Sequence, residues 1–207
     1  MTANQFYKTY KSEIDSLSGQ LGVPPKWLLA IMEFETGGQF STDTQNAAGS
    51  GAVGLIQFTP YTANLLGTTT AQLKLMTVPQ QLEYVKAYFL LPGNQPPYTN
   101  VGDMYLAVFS PAYRSKPDGY IAYKADTLAY TQNVGLDKNK DGSITVAEIK
   151  YPVQRAYDSI SIDIPLTNTA VSLPPLPYKE SAISGDWIFW LLLTAGIAGL
   201  IIQQFYK

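Results

Sequence analysis

The 207-residue chain contains no cysteine and no histidine. Without cysteine there is no disulfide to staple a fold and no thiolate for metal binding or nucleophilic attack. Without histidine the Ser-His-Asp and Cys-His machineries are excluded, as is zinc held by imidazole. Hydrolytic or transfer chemistry would have to run on carboxylates. An excess of one charge is lacking too. Fourteen basic residues against sixteen acidic ones leave a net charge of −2, and no basic run occurs, so nucleic acid is not an expected partner. Met1 to Gln20 is polar and mixed in charge; it lacks the apolar stretch of a signal peptide, and none is expected. There is no internal repeat and no sustained alternation of apolar and polar residues, which predicts few and short strands.

Apolar residues make up 46% of the chain, enough for a sizeable core. Three regions differ in character. Residues 1–160 read as one globular domain. Residues 161–184 carry Pro165, Pro174, Pro175 and Pro177 among Ser and Thr and should form an extended spacer. Residues 185–206 contain the uncharged apolar run Trp187 to Ile202, which predicts a C-terminal transmembrane helix. As a helix the run spans ~24 Å, and ~30 Å if extended to Tyr206, against a hydrocarbon core of ~30 Å. Trp187, Trp190 and Tyr206 lie where interfacial aromatics belong, and Ala195 with Gly199 would permit close helix packing. The alternative for this segment is a buried C-terminal helix.

Within the globular part the periodicity is mostly helical, so the fold class is mainly α. Phe6, Tyr10, Ile14 and Leu17 recur at helix spacing. Pro24 and Pro25 open a helix over 25–36 that Gly37-Gly38 should stop. Gly49 to Gly54 reads as a loop, and further helices are predicted over 79–91, 102–109 and 121–130. On the helix over 25–36, Leu28, Ile31, Met32 and Glu35 fall on one face at i, i+3, i+4 and i+7. Glu35 thus projects from an apolar stripe near the negative end of the helix dipole, whereas Glu33 points elsewhere. Both influences disfavour the charged carboxylate and raise its pKa, which suits a proton donor. The alternative is a helix-end glutamate turned to solvent.

The run Leu28-Leu29-Ala30-Ile31-Met32-Glu33-Phe34-Glu35-Thr36 is followed by Gly51-Ala52-Val53-Gly54-Leu55-Ile56-Gln57 and Pro60-Tyr61-Thr62-Ala63. This order resembles the soluble-lytic-transglycosylase family of the lysozyme superfamily, in which a helix ending in Glu-Ser precedes a Gly-Ala-x-Gly-Leu-Met-Gln turn and then Pro-x-Thr-Ala. Val78-Pro79-Gln80-Gln81-Leu82 resembles that family's Asp-Pro-Glu-Gln-Asn. The resemblance covers roughly residues 21–113. It implies a lysozyme-like fold with a cleft between two lobes, and cleavage of the MurNAc–GlcNAc bond of peptidoglycan by a single carboxyl, unlike the usual pair. By the same resemblance Glu35 is the catalytic acid/base and Gln57 contacts substrate. Thr36 stands for the family's Ser. Phe109 and Ser110 stand where the family's Ala-Tyr-Asn-Ala-Gly places a substrate-facing Tyr and Asn; core packing is the equal alternative for Phe109. Phe58, Tyr61 and Tyr113 lie near these motifs, and some of the aromatics are expected to line the groove. Glu33 and Asp43 are the nearby acids that could make the protein a true hydrolase.

Asp137 to Glu148 matches the twelve-residue EF-hand loop. Asp137, Asn139 and Asp141 supply side-chain oxygens at positions 1, 3 and 5, Gly142 the sharp turn at 6, and Ser143 a backbone carbonyl at 7. Thr145 occupies the often water-mediated position 9, and Glu148 the bidentate position 12. Structural calcium is expected; the alternative is an Asp/Gly-rich surface turn. Pro152 should end or kink the exit helix after one turn, which favours a clamp over a switch. Tyr130 to Asp137 resembles phage-encoded members of the superfamily; together with the predicted anchor and the lack of an expected signal peptide, this leads to the expectation of a membrane-anchored virion protein that aids wall penetration, with bacterial inner membrane as the alternative location. Two rival functions are a non-catalytic, glycan-binding virion protein and a calcium-regulated membrane adaptor.

Overall fold

A computed structural model describes residues 1–46 and 49–162. The predicted transmembrane segment and all but the first two residues of the predicted spacer lie outside the described residues. Among the described residues no helix is long and apolar enough to cross a membrane.

The chain begins with two short helices, α1 (Ala3–Thr9) and α2 (Lys11–Leu21). Thr2 and Gln5 form a reciprocal capping box at the start of α1. The helical spacing from Phe6 to Leu17 is divided at Tyr10, whose backbone leaves helical geometry, yet Phe6, Ile14 and Leu17 remain buried. Helix α3 (Pro25–Thr36) has Pro25 at its favoured first position and ends at Gly37, which takes the left-handed conformation at φ 58°. Leu28, Leu29, Ala30, Ile31 and Met32 are all buried, so α3 lies inside the fold rather than along its edge.

Helices α4 (Pro60–Leu65), α5 (Thr70–Lys74), α6 (Val78–Phe89) and α7 (Val101–Phe109) follow. Strand β1 (Ile121–Lys124) pairs antiparallel with β2 (Ser143–Thr145), and between them lies α8 (Leu128–Asn133). The described chain closes with α9 (Val146–Ser159), which packs mainly against α3 and α7. The protein is mainly α with few short strands, in agreement with the expected class.

Two expectations are corrected. The helix predicted over 121–130 is instead β1, a turn and the start of α8. Tyr123 pairs with Ile144 across the ribbon, and the Thr127 hydroxyl accepts the Tyr130 N–H and starts a new helix there. Pairing with a strand distant in sequence overrides the local periodicity. Pro152 does not end the exit helix, because α9 runs through it to Ser159. An interior proline costs about 3 kcal/mol, chiefly through one lost hydrogen bond and a clash with the preceding turn. Val146, Ile149 and Val153 are fully buried on the same helix, and such side chains contribute about 1.5–3 kcal/mol each, which outweighs that cost.

Candidate active site

Glu35 occupies the last turn of α3 with 1% of its surface exposed. Among the described residues neither carboxylate oxygen has a hydrogen-bond partner. Burial raises its pKa from 4.5 to about 8. At neutral pH Glu35 is therefore mostly a neutral acid holding a proton. The half-buried Glu33 also has its pKa raised by burial, and its Oε2 lacks a partner. Asp43 is exposed and accepts the Ser41 hydroxyl.

Two tyrosines surround Glu35 electrostatically. Tyr88 on α6 and Tyr105 on α7 are buried, and both phenols are pushed up in pKa, first by burial and then by the nearby Glu35 charge. Tyr88 donates its hydroxyl to Ala107 O at 2.8 Å, which ties α6 to α7. Its ring meets Phe58 edge-on at 6.3 Å, and Tyr105 meets Phe34 edge-on at 5.3 Å. Sequence reasoning missed both residues, although the signal was available. Tyr88 continues the buried stripe of Leu82 and Val85, and Tyr105 follows Val101 on α7, so both obey the spacing that singled out Glu35.

The Gly-rich segment forms a tight turn closed by an antiparallel bridge between Val53 and Phe58. Gly54 adopts φ 82°, and Gln57 adopts φ 53°, a left-handed conformation uncommon outside glycine. Gln57 Nε2 donates to Gly54 O at 2.9 Å and to Thr44 O at 3.2 Å. Only the nitrogen of the amide can face two carbonyl oxygens, so the amide orientation follows and Oε1 is the free end. Among the described residues that buried oxygen has no partner. An unsatisfied buried acceptor costs about 1–3 kcal/mol.

The remaining predicted site residues differ in burial and bonding. The Thr36 hydroxyl donates to Met32 O at 2.6 Å and accepts the Phe40 N–H at 3.0 Å, so it secures the end of α3. Phe58 and Phe109 are core residues, each 1% exposed. Ser110 is equally buried at the end of α7, where its N–H donates to Leu106 O. Tyr113 is half-buried and donates to Ala122 O, with its ring against Tyr120 and Tyr123. Tyr61 is exposed.

In the loop over 137–148, backbone N–H groups of the turn bind the side chains at positions 1, 3 and 5. Asp137 accepts from Asp141 and Gly142, Asn139 from Asp141, and Asp141 from Ser143. Gly142 at φ 81° makes the expected turn. Asp137 also accepts the Tyr130 hydroxyl at 2.6 Å, which is the first cause holding its carboxyl below the usual range. Glu148 is engaged differently. Its Oε2 accepts from the Thr145 N–H and hydroxyl in the capping box of α9, and its Oε1 accepts separately from the Lys138 N–H. Among the described residues no three acidic side chains converge as a metal-holding group. Asp137, Asn139, Asp141 and the Ser143 carbonyl suit calcium chemically, and Glu148 would join them only after rotating out of the capping box.

Comparison with protein-family models, curated proteins and solved structures finds no match to this chain. The functional reading therefore rests on the chemistry of the site and on the motif resemblance.

Proposed function

We propose that the chain is a peptidoglycan lytic transglycosylase of lysozyme-like fold in which Glu35 is the single acid/base. The observation that carries this reading is the buried, unpartnered carboxyl of Glu35, raised in pKa to about 8. A protein without histidine or cysteine has few other groups able to hold a transferable proton at neutral pH. Glu35 gives its proton to the glycosidic oxygen as the muramyl C1–O bond breaks. The resulting carboxylate then takes the proton of the muramyl 6-hydroxyl as O6 bonds to C1. The sugar leaves as a 1,6-anhydro ring, no water is consumed, and Glu35 is protonated again. Mass spectrometry of purified peptidoglycan treated with the full chain tests this. Anhydromuramyl ends are expected from wild type, and reducing ends in their place would indicate a hydrolase using Glu33 or Asp43. The resemblance to phage-encoded members extends the proposal to a membrane-anchored virion protein that opens the wall. Finding the chain only in the inner membrane of uninfected bacteria would overturn that part.

One observation favours a second reading. Phe109 and Ser110 are buried where the resembled family places a substrate-facing Tyr and Asn. This favours a glycan-binding virion protein without turnover, and binding of glycan with no cleaved product would select it.

Calcium belongs to the proposal as a structural ion held by Asp137, Asn139, Asp141, Ser143 and Glu148. It would neutralise the loop's carboxylates and fix β2 against β1. At a concentration a hundredfold above its dissociation constant it would add ~2.7 kcal/mol, or roughly 5–10 °C in melting temperature. Asp137→Ala and Glu148→Gln should remove that increment. A wild-type melting temperature that millimolar calcium leaves unchanged would eliminate the ion.

A further inference from the structure

Resting on the proposed glycan cleavage, we infer that Gln81 is a positioning residue, which holds the turn over 54–57 so that Gln57 Oε1 is presented to a donor group of the sugar. Gln81 lies in the first turns of α6 with no exposed surface, far in sequence from the turn it serves. Its Oε1 accepts the Leu55 N–H at 2.8 Å. Its Nε2 donates to Thr42 O at 3.0 Å and to Leu73 O at 2.9 Å. One amide thus joins three segments, and both of its N–H groups and its oxygen are used.

The turn is shaped around this amide. Gly54 sits so close that a Cβ there would lie 2.5 Å from Gln81 Oε1, and its φ of 82° is one that L side chains rarely adopt. Gly54 N–H donates to Thr44 O, while Gly54 O accepts both the N–H and the Nε2 of Gln57. Gln81 and Gln57 therefore clamp the same two stretches of chain. Gln81 bonds residues 42 and 55, and Gln57 bonds residues 44 and 54. Every donor of the two side chains is used, one of them on Leu73 O outside these two stretches. The free acceptor they leave is Gln57 Oε1, buried with 6% of the residue exposed. An acceptor without a donor among the described residues selects for an N–H or O–H on the ligand, which an acetamido nitrogen or a sugar hydroxyl supplies. Without Gln81, nothing in the clamp holds Leu55 N–H. The turn, still closed by the Val53–Phe58 bridge and by Gln57 N–H to Gly54 O, would lose its tie to α6, and the direction of Gln57 Oε1 would loosen with it.

The test is a double-mutant cycle on the full chain, reading KM and kcat for glycan cleavage with Gln57→Met, Gln81→Met and the double variant. Gln81→Asn serves in place of Gln81→Met if the latter does not fold, since it keeps the amide but shortens its reach. Each single variant should raise KM about tenfold with a smaller effect on kcat, the size expected for one lost hydrogen bond to substrate. The double variant should be no worse than Gln57→Met alone, because both changes remove one interaction. Losses that multiply would show that Gln81 acts only on stability and would overturn its positioning role while leaving the cleavage reading intact. A wild type that neither cleaves peptidoglycan nor binds chitotriose would overturn the cleavage reading and this inference with it.

Discussion

Glu35→Gln is expected to lower kcat for glycan cleavage by about a thousandfold, within the range for loss of a general acid. The substitution is a close test of the proton itself. At neutral pH the wild-type side chain is already mostly neutral, because burial raises its pKa to about 8. The amide has nearly the same shape and no charge, and it fills the same space beside Tyr88 and Tyr105. It differs in that it has no proton to transfer and cannot take one from the muramyl 6-hydroxyl. KM should change little, and thermal melting should show a folded protein. The same argument fixes the pH dependence. The first step needs protonated Glu35, so wild-type kcat/KM should fall as pH rises through about 8. Glu33→Gln should retain activity within a fewfold of wild type, since Glu33 is only half-buried and lies on a different face of α3. Anhydromuramyl release measured on all three proteins decides the matter. Activity of Glu35→Gln within tenfold of wild type would sink the single-carboxyl mechanism. Loss confined to Glu33→Gln would move the chemistry to that residue.

The buried carboxyl was legible in the sequence because it obeys a local rule. Its position on the stripe of Leu28, Ile31 and Met32, and the Gly37 stop, are both readable within one helix. The same holds for α6 and α7, whose ends are marked by Pro79 and by the Asn100 cap. The errors occur where distant pairing decides. Nothing local in Ile121 to Lys124 announces a strand, since its partner β2 lies inside the calcium-like loop. Pro152 reads as a helix breaker until α3 and α7 supply the buried contacts that outweigh it. The candidate site divides in the same way. Glu35 and Gln57 are proposed from motif and spacing, whereas Gln81 bonds residues 42, 55 and 73, and no window of sequence contains that triangle. Thr36, Phe58, Phe109 and Ser110 were legible as motif positions, and their bonds and burial give each a packing or capping role.

The second large effect is on stability, and it runs opposite to the usual behaviour of a carboxylate. Glu35 ionises near 4.5 in the unfolded chain but near 8 in the folded one. Below the lower value both states carry the proton and the group contributes no pH dependence. Between the two values the unfolded chain releases the proton while the folded chain retains it. Each pH unit in that window therefore removes ~1.4 kcal/mol from the folded state. The stability present at low pH is lost as pH rises through the folded pKa, a total on the order of 5 kcal/mol. Glu35→Gln has no proton to lose at this position, and all other titrating groups are common to both proteins. The variant and wild type should melt at similar temperatures near pH 4.5. By pH 8 the variant should melt roughly 10 °C higher, taking about 2–4 °C per kcal/mol for a domain of this size. Thermal melts of the two proteins at half-unit pH steps give the difference directly. Parallel curves would mean that Glu35 ionises as it does in water. Its proton would then be gone at neutral pH, and a general acid at this position could not work.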